Sequence, residues 1–140
     1  MYKLYIAKKC SSKEILKRHN IDYEIIYNEY GKPYFKNNPI FFNVSHSGNY
    51  TVLVVSNIEV GVDIQKITYR RKVIEKVCND KEKKLIKDAQ SFTKMWVKKE
   101  SYLKMLGQGA SYGFKNVDTL NTNNIKVKKY KNYYIAICFK

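Results

Sequence analysis

Acidic residues are scarce in this chain. Twelve Asp and Glu stand against 27 Lys and Arg, a formal charge of +15 over 140 residues. Such a surface attracts anions, whether nucleic acid, membrane, a phosphorylated small molecule or an acidic protein, and net charge alone does not choose among them. Cysteine is equally sparse. Cys10, Cys78 and Cys138 are an odd number at wide separations with no CxxC pair, so neither a zinc site nor a disulfide framework is indicated. Long apolar runs are missing as well. No stretch approaches the ~20 residues of a membrane span, and Met1 to Lys9 carries charge too early for a secretory signal. The expectation is a cytoplasmic protein with no membrane partner. Helix-turn-helix, zinc-finger and RNA-binding signatures are also lacking, as are internal repeats and a long linker.

Apolar and aromatic residues fill that frame. Hydrophobic residues make up 44% and aromatics 14%, with 13 Tyr, which excludes a disordered basic tail and suits one compact domain with a real core. Strand patterns fall at 2–7, 22–27, 40–45, 50–56, 60–67, 125–130 and 133–139, the last two joined at Lys131-Asn132. The run Val52-Leu53-Val54-Val55 reads as a strand buried on both faces. Asn57-Ile58-Glu59 should turn the chain into a further hairpin. Helical patterns occupy the stretch after Ser11 or Ser12, 69–77, the segment opened by Asn79 with Glu82 as a capping box, and 92–106. Ser91 can cap the last of these and Gly107 can end it. Strands, then helices, then strands predict an α+β fold.

Two stretches carry the chemistry. In Gly61-Val62-Asp63-Ile64-Gln65, read as a strand, Val60, Val62 and Ile64 face the core while Gly61, Asp63 and Gln65 share the other face. A carboxylate beside an amide on a strand suits a hard cation such as magnesium, with phosphate oxygens and waters completing its shell; a polar solvent face is the plain alternative. In the helix, Trp96, Glu100 and Lys104 stack four apart along one side. Between strands, Asn43-Val44-Ser45-His46-Ser47-Gly48 reads as a tight turn whose hydroxyls, imidazole and backbone N–H groups can grip an anion. No nucleophile elbow or third orienting group supports a Ser/His hydrolase.

Taken in order, Gly31-Lys32-Pro33, Asn43-Val44-Ser45-His46-Ser47, Gly61-Val62-Asp63-Ile64-Gln65 and Trp96-x-x-Lys99-Glu100-Ser101-x-x-Lys104 resemble the Sfp-type 4′-phosphopantetheinyl transferases. Gly107-Gln108-Gly109 is similar to the loop after the family's signature helix, and the likeness runs from about Tyr30 to about Leu120. It implies transfer of the 4′-phosphopantetheine arm of coenzyme A to a serine of an apo acyl, peptidyl or aryl carrier protein, with release of 3′,5′-ADP. It implies magnesium held by Asp63 and Glu100, with Gln65 as a ligand directly or through water. Glu100 and Lys104 are then the catalytic pair, Glu100 as base and Lys104 on phosphate, and Lys32, Ser45, His46 and Lys99 contact coenzyme A. It implies two similar α/β halves, 1–57 and 58–140, about a pseudo-twofold axis with the site at their junction, in a monomer. An acidic carrier would be steered by the basic surface.

The chain departs from the family in two places. Gln65 stands where Glu is frequent, which removes one negative ligand and predicts weaker magnesium binding. Members are also usually longer, with the shortfall before Gly31, so the basic contacts to the 3′-phosphate have only Lys8, Lys9, Lys13, Lys17 and Arg18 as candidates by location. The rival readings are a basic nucleic-acid-binding protein and a degenerate member that binds coenzyme A without transferring its arm.

Overall fold

The computed structural model describes residues 1–109 and 111–140 in full. Along the chain come β1 (Tyr2–Lys8), α1 (Ser12–Arg18), β2 (Ile25–Tyr27), β3 (Pro33–Phe35), β4 (Phe41–Ser47), β5 (Tyr50–Ser56) and β6 (Val60–Lys66). Then follow α2 (Arg71–Val77), α3 (Asp80–Lys83), α4 (Ala89–Leu106), two short 3₁₀ turns, β7 (Ile125–Tyr130) and β8 (Tyr133–Phe139). The result is an α+β fold of three antiparallel sheets, ordered β1-β5-β4, β2-β3 and β6-β8-β7. No helix among the described residues is long and apolar enough to cross a membrane.

Alternation along β6 builds the centre of the molecule. Val60, Val62 and Ile64 point to one face and pack with Val52 and Val54 of β5 and Ile135 and Ile137 of β8. Gly61, Asp63 and Gln65 point to the other face, over which α4 lies. Gly61 has to be glycine for that approach. A Cβ there would overlap the Met105 nitrogen and the Ser101 oxygen and come within 2.8 Å of the Met105 Cα, all of it helix backbone.

The edge of β6 that faces away from β8 is closed by side chains. The Val62 N–H donates to Asn43 Oδ1 (2.9 Å), the Ile64 N–H to Ser45 Oγ (3.2 Å) and the Lys66 N–H to Ser47 Oγ (3.3 Å). Residues 43, 45 and 47 share one face of β4 because strand side chains alternate. They satisfy donors that an edge strand would otherwise leave open.

Three sequence expectations change here. Ser45, His46 and Ser47 lie within β4; the turn falls one step later at Gly48-Asn49, where Gly48 adopts φ +58. Nor does β6 form a hairpin with β5. Its backbone pairs with β8 in a different sheet, because its free edge is taken up by the β4 side chains. α4 also starts earlier than Ser91, at Ala89, with Asp88 as N-cap and Ser91 completing the capping box. The Asn79–Glu82 capping box, the Lys131-Asn132 hairpin and the Gly107 stop at φ +69 stand as expected.

Gly61→Ala should destabilise the protein by about 1–3 kcal/mol or more, since the obstructing atoms are backbone and cannot swing aside. Urea unfolding of the variant checks this, and an unchanged midpoint would mean that α4 does not sit this close to β6.

Candidate active site between β4, β6 and α4

Asp63 is held on β6 at 2% exposure, under α4 and beside β4. Its Oδ1 accepts from Ser45 Oγ (2.9 Å) and from Lys104 Nζ (3.0 Å), and its Oδ2 accepts from Gln65 Nε2 (2.9 Å). Burial raises the Asp63 pKa, with Lys104, Gln65 and Ser45 pulling the other way. Glu100 lies one turn before Lys104 on the same face of α4. Burial, and after it the charge of Asp63, push the Glu100 carboxyl up to about 7, partly offset by Lys104. Two acids and one ammonium therefore share a small space.

That space opens into a cavity of about 410 Å³. One wall is the turn of Tyr30, Gly31, Lys32 and Pro33, another is Asn43 and Val44 of β4, and the third is Glu100, Leu103 and Lys104 of α4 with Gly107, Gly109 and Phe114 beyond it. Its lining mixes apolar side chains with a few polar groups, Lys32, Asn43, Glu100 and Lys104, the usual make-up of a small-molecule site.

The candidate residues do not all meet there. Glu100 and Lys104 line the cavity, and Asp63 lies behind Lys104, bonded to it and to Ser45 and Gln65. Lys32 reaches the cavity, but its ammonium donates to the Met105 carbonyl at 2.7 Å and lies 3.4 Å from Glu59 Oε1. His46 is exposed and points to the face of β4 opposite Ser45. Lys99 is a correction. It is fully buried on another side of α4, its Nζ 2.8 Å from Glu82 Oε1 and donating to the carbonyls of Phe114 (2.9 Å) and Val117 (2.8 Å). Glu82 Oε1 also accepts the Asn79 N–H, and its Oε2 accepts from Thr119 Oγ1. Lys99 thus ties the α3 cap and the 114–119 segment to α4, with no donor left for a ligand.

Asn28 and Glu59 escaped the sequence reading, which places Asn43 in a turn and foresees no bond to β6. For Asn43 a signal existed: it keeps the alternate register of Ser45 and Ser47. Asn28 and Glu59 gave none, since their partners lie 79 and 27 positions away.

Magnesium can be tested against the donors present. Among the described residues no three His, Cys, Asp or Glu side chains cluster, so a cage made wholly of protein is absent. Asp63, Glu100 and the Gln65 amide still fit the ion, which is commonly held by one or two carboxylates together with a substrate's phosphates. The repulsion that raises Glu100 is what a cation placed there would relieve.

Comparison with known proteins gives the class, with which this α+β fold is compatible. Residues 59–138 match the model of the 4′-phosphopantetheinyl transferase superfamily, and the chain belongs to that superfamily. It is similar to the 4′-phosphopantetheinyl transferase gsp of Aneurinibacillus migulanus, 34% identical over 119 residues, covering 79% of this chain and 50% of that protein. AcpT of Escherichia coli K12 is 32% identical over 128 residues, covering 82% and 65% respectively. Sfp of Bacillus subtilis 168 is 32% identical over 91 residues, covering 59% and 41%. The chain spans about half to two thirds of the length of the first two.

Two outcomes are expected. Lys99→Met should cost about 3–5 kcal/mol by leaving Glu82 charged and unpaired, and adding Glu82→Gln should recover part of it. Denaturant midpoints of the single and double variants test this; full stability of Lys99→Met would show that the pair does not anchor the helix. The second concerns pH. With its pKa at about 7 rather than the ordinary 4.5, Glu100 binds more proton in the folded than in the unfolded metal-free protein between those values. Stability should therefore fall as pH rises through that window and level off above it. Glu100→Gln should flatten the profile and stabilise the metal-free protein at pH 8, by on the order of 1–3 kcal/mol. Thermal melts in chelator from pH 4.5 to 8 provide the check.

Proposed function

We propose that the protein is a magnesium-dependent transferase that moves the 4′-phosphopantetheine arm of coenzyme A onto a serine hydroxyl of an apo carrier protein, releasing 3′,5′-ADP. The observation that carries this reading is that Asp63, bonded to Lys104 and close enough to Glu100 to raise its pKa, lies beside a cavity that Glu100 and Lys104 line, in a chain of this superfamily. We further propose that residues 1–57 and 58–140 are pseudo-twofold-related halves acting together in a monomer. Supporting this, each of the two three-stranded sheets places its own last strand in the centre, between the first strand and the penultimate one, β5 between β1 and β4 and β8 between β6 and β7.

In the reaction the carrier serine Oγ attacks the phosphorus that bears the pantetheine arm. The phosphoanhydride bond to the nucleotide breaks, and 3′,5′-ADP leaves with its electron pair. Glu100 takes the serine proton, directly or through a water. Burial and the Asp63 charge raise this carboxyl to about 7 without metal; a cation bound beside it would lower that value and keep the carboxylate ionised, ready to accept the proton. Lys104, on the rim of the cavity and close to Asp63, offers positive charge to the pyrophosphate. Asp63, Glu100 and the Gln65 amide would hold magnesium, whose contribution when bound is to neutralise charge on the pyrophosphate and leaving group. Ser45 fixes Asp63 by donating to it, and the basic surface draws an acidic carrier.

Incubation with coenzyme A, magnesium and a panel of apo carrier proteins, followed by intact-mass measurement, tests the proposal. A phosphopantetheine-sized gain on a carrier is expected with the wild type, with a loss of at least about 10²-fold in rate for Glu100→Ala and for Asp63→Ala. Unmodified carriers throughout, with coenzyme A still bound, would instead support a binding protein without transfer activity.

A further inference from the structure

We infer that the turn Asn28–Lys32 is a clamp on the C-terminus of α4, and that the Lys32 ammonium serves the transferase by positioning Lys104 and Glu100. The kinetic half of this inference rests on the transferase reading; the structural half stands without it.

A helix leaves its last carbonyls without partners of their own. In α4 two of the carbonyls at this end are taken by side chains from the far side of the cavity. Lys32 Nζ donates to Met105 O at 2.7 Å and Asn28 Nδ2 donates to Gly107 O at 2.8 Å. An ammonium at the negative end of a helix also opposes its macrodipole. The same Asn28 side chain organises its own turn, since its Oδ1 accepts the N–H groups of Tyr30 and Lys32, each at 2.9 Å. One amide thus locks both partners.

Lys32 is itself held in place. It is 7% exposed, and its ammonium lies 3.4 Å from Glu59, whose carboxylate also accepts from Tyr34 Oη at 2.8 Å. Two of its three N–H donors are thus directed at the helix end and at the carboxylate. The fit is close: a Cβ on Gly107 would come within 2.8 Å of Lys32 Cδ and 3.1 Å of Asn28 Nδ2. Gly107 therefore serves twice, by allowing φ +69 and by admitting the clamp.

Met105 follows Lys104 directly, so a shift of the Met105 peptide moves the lysine that lies 3.0 Å from Asp63. Glu100 sits little more than one turn earlier on the same helix. The turn also supplies one wall of the cavity and the helix end another, so the clamp sets the width of the cavity as well as the placement of its cations.

The test uses Lys32→Met, which keeps the stem and removes the ammonium, and Asn28→Asp, which keeps the turn acceptor and removes the donor to Gly107. Hydrogen exchange of the 103–107 amides and steady-state kinetics are measured on both. Expected is exchange faster by about 10-fold at the end of α4, a kcat lower by about 10- to 100-fold and a KM for coenzyme A within about 2-fold of wild type. A raised KM with unchanged kcat and unchanged exchange would assign Lys32 to coenzyme A and overturn the inference. Faster exchange with unchanged kcat would overturn the positioning role. If the wild type transfers nothing, exchange and coenzyme A affinity decide alone: faster exchange with unaltered affinity supports the clamp, and lost affinity with unaltered exchange refutes it. Should Lys32→Met not fold, Asn28→Asp reads out the same helix end.

Discussion

Every feature of the site depends on how the open edge of β6 is closed. Of its outward N–H groups, those of Val62 and Ile64 lie inside the protein, where a donor left without a partner costs about 1–3 kcal/mol, and that of Lys66 is at the exposed end. Asn43, Ser45 and Ser47 satisfy three of them, at Val62, Ile64 and Lys66. This seam fixes register as well as energy. A slip of one residue would turn Phe42, Val44 and His46 toward those donors, and none of those side chains could serve all the bonds. With the register fixed, the Ser45 hydroxyl lies between the Ile64 N–H and the Asp63 carboxylate, accepting from one and donating to the other. Cohesion between the two sheets and orientation of the acid are thus one interaction.

α4 divides its labour by face. Toward β6 it brings Glu100 and Lys104 into partial solvent, where charges can exchange partners with a ligand. The Lys104 side chain keeps 31% of its surface exposed, whereas that of Lys99 keeps none. Lys99 is sealed with Glu82, and its other donors go to carbonyls of the following segment. Two lysines five positions apart on one helix therefore do opposite things: one remains available to anions, and the other holds the helix to its surroundings. Trp96 belongs with the second group, stacked on Phe114 with ring centroids 5.4 Å apart.

Local patterns were legible in the sequence, and long-range partners were not. The alternation from Val60 to Gln65 assigned each side chain to the correct face because a strand has a period of two. Gly107 and Asn79 marked a helix end and a helix start by chemistry confined to a few residues. Ser45-His46-Ser47 read as a turn because three polar residues beside a glycine resemble one; their backbone instead pairs with β5, and their polar character is explained by N–H donors on β6, nineteen positions on, which Ser45 and Ser47 meet. Lys99 was assigned to the site because family spacing fixes a position along a helix but not what covers its other side. Glu82 and Thr119, which account for that burial, cannot be found by spacing. Lys32 is similar, since the Gly-Lys-Pro turn is visible while the helix end it meets is not.

The order of strands in the third sheet bears on how the protein is made. β8 is the middle strand, and Asp63 on β6 lies opposite Ala136 within it. On a ribosome β6 and α4 emerge before the strand that backs them, so the carboxylates exist for a time without the sheet that sets their spacing. Closing that gap needs a contact distant in sequence, a slow kind of step. The setting of Asp63 opposite Ala136 is therefore complete only once the β7–β8 hairpin has inserted beside β6.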